Sequence, residues 1–166
     1  MKRSDFFEFL TRFAKQPIPA TLKRHIYLWL GEVDDLLLKS PAGFNIKKLD
    51  LHVLCKNLTK TPLGDKAAGR ELSGAIDEWL LREFPTSQRQ RALLVTGLDL
   101  LYRYRLSLSA FFRLANENTM IILGLSALDA NFHPSKLLPS YIQFSPGAIL
   151  KYVASEIPEE AIVKEE

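Results

Sequence analysis

Three short apolar runs constrain this fold most: HIYLWL at 25–30, ALLVTGL at 92–98 and TMIILGL at 119–125. Each is too short for a helix, is rich in aliphatic, β-branched or aromatic residues, and lacks the polar alternate positions of a strand with one wet face. They therefore read as strands buried on both sides. Between them the period changes. Residues 4–15 put Phe6, Phe9, Leu10 and Phe13 on one helical face before Gln16-Pro17-Ile18-Pro19 stops the helix, and residues 67–84 do the same with Leu72, Ile76, Trp79, Leu80 and Phe84 before Pro85. Strands with two apolar faces alternating with amphipathic helices predict a mostly parallel sheet covered on each side.

Weaker signals fill the gaps. A short helix is expected at 34–39 ahead of Pro41-Ala42-Gly43, a strand at 46–55, a polar loop at 56–66 and a helix at about 107–117. SYIQF at 140–144 reads as a last strand, and Pro146 as the start of a helix over 147–155. The expected fold class is thus α/β, a three-layer sandwich with a mostly parallel central sheet of about five strands. No repeat or low-complexity linker divides residues 1–166, so a single domain is expected, with a helix at 1–16 and an acidic tail at 156–166.

Hydrophobic residues make up 47% and charged residues 25%, which excludes disordered and collagen-like chains. The longest apolar runs fall far short of the ~20 residues of a membrane helix, and no apolar signal-peptide core stands at the start. The expectation is a cytoplasmic protein without a membrane partner. The single cysteine, Cys55, cannot form an internal disulfide, and His52-x-x-Cys55 alone is too sparse for a metal site, so no metal is assigned. The net charge of +3 is uneven: residues 156–166 hold five glutamates against Lys164, a balance of −4 that leaves +7 on residues 1–155. A basic body suits nucleic acid or an acidic partner, and the acidic tail reads as a solvated end.

The candidate site is Asp99, at the end of the run 91–101, RALLVTGLDLL. Ligands of open α/β sheets bind beyond the carboxyl ends of the strands, and a carboxylate there can hold Mg²⁺ beside phosphates, accept a phosphoryl group, or cap the next helix. Ser126, after the run 119–125, can touch a phosphate or cap a turn. LLVTGLDLL resembles a Walker B strand, and IILGLS resembles the sensor strand of P-loop NTPases of the AAA and STAND type. Over residues 20–145 the layout is similar to that of the small P-loop accessory proteins of BREX phage-defence operons. The resemblance implies a P-loop NTPase-like fold in which Asp99 and Ser126 would bind ATP and Mg²⁺.

The departures from that family point to a degenerate member. Gly31-Glu32-Val33-Asp34-Asp35 follows the first strand where glycines and a lysine would cradle phosphates, and its carboxylates repel a triphosphate. Residues 64–71, GDKAAGRE, carry Arg70 and Glu71 in place of the Lys and Ser/Thr, and position 100, the usual catalytic glutamate, is Leu. Response-regulator receiver domains use a similar set differently: an acidic pair, here Asp34 and Asp35, a phosphoacceptor, here Asp99, and Ser126-Ala127, although the expected Lys-Pro is Ser145-Pro146.

A third reading needs no nucleotide. Arg89, Arg91, Arg103, Arg105 and Arg113, with Tyr102 and Tyr104, form a basic aromatic neighbourhood suited to DNA or RNA strands or to an acidic protein. The expected function is a non-catalytic accessory or scaffold subunit, a pseudo-ATPase in a larger complex serving antiviral defence or another nucleic-acid transaction. A nucleic-acid-binding module, a weak ATPase and a receiver-like switch are the alternatives.

Overall fold

The computed structural model describes residues 1–20, 24–58, 62–126 and 146–165. Its strands are β1 (Ile26–Leu30), β2 (Asn45–Asp50), β3 (Arg91–Thr96), β4 (Thr119–Leu125) and β5 (Ile162–Val163). They form one sheet, all parallel, in the order β2-β3-β4-β1-β5. The helices are α1 (Arg3–Phe13), α2 (Val33–Lys39), α3 (Leu51–Lys56), α4 (Asp65–Glu83), α5 (Leu98–Tyr104), α6 (Ser109–Phe112) and α7 (Pro146–Ala154).

Every residue of β3 and β4 is buried, as their unbroken aliphatic runs require. Leu93, Val95, Ile121 and Leu123 pack against Leu72, Ile76, Leu101, Phe111, Ile149 and Val153 on one face. On the other, Ala92, Leu94, Met120 and Ile122 meet Phe6, Leu10 and Phe13 of α1 and Leu36 of α2. The split follows from handedness. The connection from β1 to β2 runs one way along the sheet and the later ones run the other way, so right-handed crossovers put α2 on the opposite side from the helices after β2, β3 and β4.

The chain departs from its sequence pattern in four places. The strand expected at 46–55 ends at Asp50, whose carboxylate accepts hydrogen bonds from the backbone N–H of His52 at 2.9 Å and of Val53 at 3.3 Å and so starts α3. The strand expected at 92–98 ends at Thr96, because Gly97 turns the backbone into the left-handed region (φ +79°) and α5 begins at once. The helix expected at 107–117 is reduced to Ser109–Phe112.

The acidic end is the fourth departure, since it is not a solvated tail. Ile157, Ala161, Ile162 and Val163 are buried, and β5 pairs with β1 through Leu28↔Ile162 and Trp29↔Val163. Burial of Ile157, Ile162 and Val163 contributes about 1.5–3 kcal/mol each. The strand expected at 140–144 lies outside the described residues. Among the described residues no helix is long and apolar enough to cross a membrane.

Candidate functional site

β1 and β4 are neighbours, yet the helices that follow them, α2 and α7, lie on opposite faces. The carboxyl ends of these two strands therefore form the topological switch point, the crevice where open α/β sheets hold ligands. Register places Leu30 beside Leu125, and the Gly31 N–H donates to the Leu125 carbonyl at 3.2 Å. Ser126 follows, half-buried.

Arg3 covers this crevice from the start of α1. Its guanidinium donates to the Leu30 carbonyl at 2.5 Å and to the Glu165 carboxylate at 2.9 Å, and lies 4.7 Å from the centre of the Trp29 ring. A Cβ on Gly31, whose φ is +148°, would collide with that guanidinium, so the glycine serves the arginine's approach. Asp34 and Asp35 stand exposed on α2.

A second group lies beyond β2 and β3, whose last residues Asp50 and Thr96 pair in register. Asp99 sits in the first turn of α5, fully buried. Its carboxylate accepts a hydrogen bond from His52 Nε2 at 2.5 Å, and the His52 side chain is 16% exposed. Gly97 permits the approach: a Cβ there would stand 2.9 Å from His52 Cδ2. Beneath the pair, Cys55 is buried, and desolvation together with the Asp99 charge, opposed by Lys56, pushes its thiol up to about 11. Such a thiol is inert at neutral pH.

Asp99 therefore lies within a helix, not on a strand end, and it is reached by His52, which the sequence offered only as half of the sparse His52-x-x-Cys55 pair. The cap signal Asp50-Leu51-His52-Val53 would have exposed it, by turning the chain there. Nor do the receiver-like residues assemble in the receiver's order: there β1 and β3 are neighbours, in the order 2-1-3-4-5, whereas here β4 separates Asp34 and Asp35 from Asp99.

The basic aromatic residues separate into different roles. Arg91 is buried at the start of β3, 3.7 Å over the Phe84 ring and donating to the Pro85 carbonyl at 2.6 Å; desolvation lowers its pKa. Arg103 forms a bidentate pair with Asp65 at 2.8 and 3.0 Å, which ties α5 to the start of α4. Tyr104 is buried, and burial raises its pKa. Arg89 and Arg113 are exposed, at the entry of β3 and the end of α6. Arg103 lies 5.3 Å from the Tyr104 ring centre. Tyr102 and Arg105 also meet, with the guanidinium 4.5 Å from the Tyr102 ring centre, and Tyr152 of α7 completes that cluster.

A groove of about 1100 Å³ runs beside edge strand β2, between it and α3 and α4, over Leu49, Leu54, Leu58 and Trp79. Its charged rim is balanced: Lys48, Arg70 and Arg82 against Asp50, Glu71 and Glu78. Set against family models, curated proteins and solved structures, the chain gives no significant match in any of the three comparisons.

Proposed function

We propose that this chain is a degenerate P-loop NTPase-like domain that works as an accessory or scaffold subunit of a larger complex, without turning over nucleotide. The observation that supports the reading is that the chain's own groups engage both the carboxyl end of β1 and the Asp99 carboxylate. Arg3 covers the end of β1, and His52 holds the Asp99 carboxylate that would otherwise face Mg²⁺. The residues present do not fit ATP with Mg²⁺, because the turn after β1 is acidic and the one Walker-like carboxylate is buried and engaged. The similarity in layout to the accessory proteins of BREX operons suggests phage defence as the setting.

Calorimetric titration with ATP and Mg²⁺ tests the nucleotide part of this proposal. The expected result is no measurable heat for the parent chain at millimolar nucleotide. Binding that disappears in Asp99→Asn would show a working site and overturn it. Co-purification from the native host, with the mass of the assembly measured by light scattering, tests the scaffold part; a chain recovered only as a free monomer would count against it.

A further inference from the structure

Arg105 is the one non-glycine with positive φ among the described residues: it ends α5 at φ +53° and ψ +41°. This left-handed conformation costs an L residue about 1–2 kcal/mol, and helices that end this way use Gly or Asn. Backbone strain of this kind marks a place where the side chain itself is wanted. The Arg105 side chain is exposed and lies over two tyrosines, 4.5 Å from the Tyr102 centroid and 5.6 Å from that of Tyr152.

The platform beneath the guanidinium is rigid. The two tyrosine rings meet edge to face, with centroids 5.5 Å apart and planes at 76°. The Tyr152 hydroxyl donates to the Leu106 carbonyl at 2.8 Å, and the Leu106 N–H donates to the Leu101 carbonyl at 3.0 Å, so α7 and the turn after α5 are locked together. Among the described residues no carboxylate pairs with Arg105 in a salt bridge, whereas its neighbour Arg103 is held by Asp65. Exposed Lys151 adds positive charge next to Tyr152, and Glu156 is the acidic group acting on that tyrosine.

We propose that Arg105, backed by Tyr102 and Tyr152, is a stacking site for an unpaired nucleotide of a single-stranded nucleic acid. One face of the planar guanidinium rests on the tyrosines, the outer face takes a base, and the N–H edge takes a phosphate. A duplex buries its base faces and does not fit. The inference is independent of the nucleotide-fold reading, since it uses neither the switch point nor the Asp99 carboxylate.

The test is fluorescence anisotropy of the full chain with labelled 12-mers of uridine and of deoxythymidine, beside a 12-base-pair duplex, at 50 and 200 mM salt. Comparison of the two single strands shows whether RNA or DNA is preferred. The expected result is binding to a single strand that weakens with salt and exceeds binding to the duplex. Arg105→Gly relieves the backbone strain and should keep or raise Tm while weakening binding about tenfold; Arg105→Lys, which keeps the charge but loses the plane, should weaken it about threefold.

Four outcomes with these oligonucleotides and variants overturn the proposal. They are equal or tighter duplex binding, no binding at 50 mM salt, unchanged affinity in Arg105→Gly, and loss of binding that comes only with a fall in Tm, which would make Arg105 a structural staple. Polyglutamate that competes as well as the single strand would assign the surface to an acidic protein and overturn it equally.

Discussion

Beyond β1 and β4 the carboxyl edge of the sheet is covered by Arg3, whose partners are a backbone carbonyl and the 80%-exposed Glu165 carboxylate from the far end of the chain. Beyond β2 and β3 the same edge is closed from inside, by a carboxylate with no exposure and the imidazole that reaches it. A part-exposed arginine with a solvated partner loses little when removed, because water replaces what it held. Water replaces a donor lost from a buried carboxylate less readily. The first closure is thus open to change, whereas the second is built into the core.

The comparison breaks most severely if the end of the chain is removed. Deletion of 157–166 takes away β5 and Glu165 and uncovers the flank of β1; a loss of more than about 4 kcal/mol is expected, seen as collapse of the cooperative transition in urea. A deletion that unfolded like the parent would return residues 156–166 to the role of solvated tail. Next comes the buried half. Asp99→Ala should cost about 3 kcal/mol, and His52→Ala a comparable amount, with a coupling above about 1 kcal/mol in the double-mutant cycle. Additive costs would mean that the two side chains merely lie near one another.

Gly97→Ala tests the same half through the backbone. It forces a Cβ into the left-handed region and against His52, so a loss of about 2 kcal/mol is expected, or a Tm lower by about 4–8 °C. The Arg3 half should respond less. Arg3→Ala is expected to cost about 1 kcal/mol, and a loss as large as that of Asp99→Ala would erase the distinction between the two closures.

The smallest effect concerns pH. The Cys55 thiol is raised to about 11 from an unfolded value of 9, so it favours the folded state below pH 9, and that stability is lost as pH rises from 9 to 11. By pH 10 the loss is about 1 kcal/mol, and Cys55→Ala should flatten that part of the profile. The raised Tyr27, at about 12, adds a further decline at higher pH that the variant leaves in place.

Much of the fold is legible in the chain. The runs that became β1, β3 and β4 announce buried strands because nothing polar interrupts them, and α1 and α4 announce themselves by period. Where a strand ends is harder to read: 46–55 and 92–98 look apolar past Asp50 and Thr96, since the first turns of α3 and α5 are apolar as well. That ambiguity hid the site. With both runs drawn as strands, Asp99 belonged to an edge and His52 to a strand face, and nothing brought the two together.

The basic aromatic segment divides in the same way. Composition marks Arg91, Arg103 and Arg105 alike; Phe84 stands just ahead of Arg91, but Asp65 and Tyr152, which set the other two apart, are distant in sequence. No local signal separates a buried arginine from a presented one.

By itself the sequence determined the class: apolar runs of five to seven residues between amphipathic helices bury their surface only as a covered parallel sheet, a matter of local period and hydrophobicity. The tertiary structure alone decided that the acidic end supplies the fifth strand, that Arg3 and His52 close the two halves of the carboxyl edge, and that Arg105 stands over Tyr152. Each of these joins residues 27 to 162 positions apart. Such contacts depend on strand order and register, which the whole chain sets and no window of sequence contains.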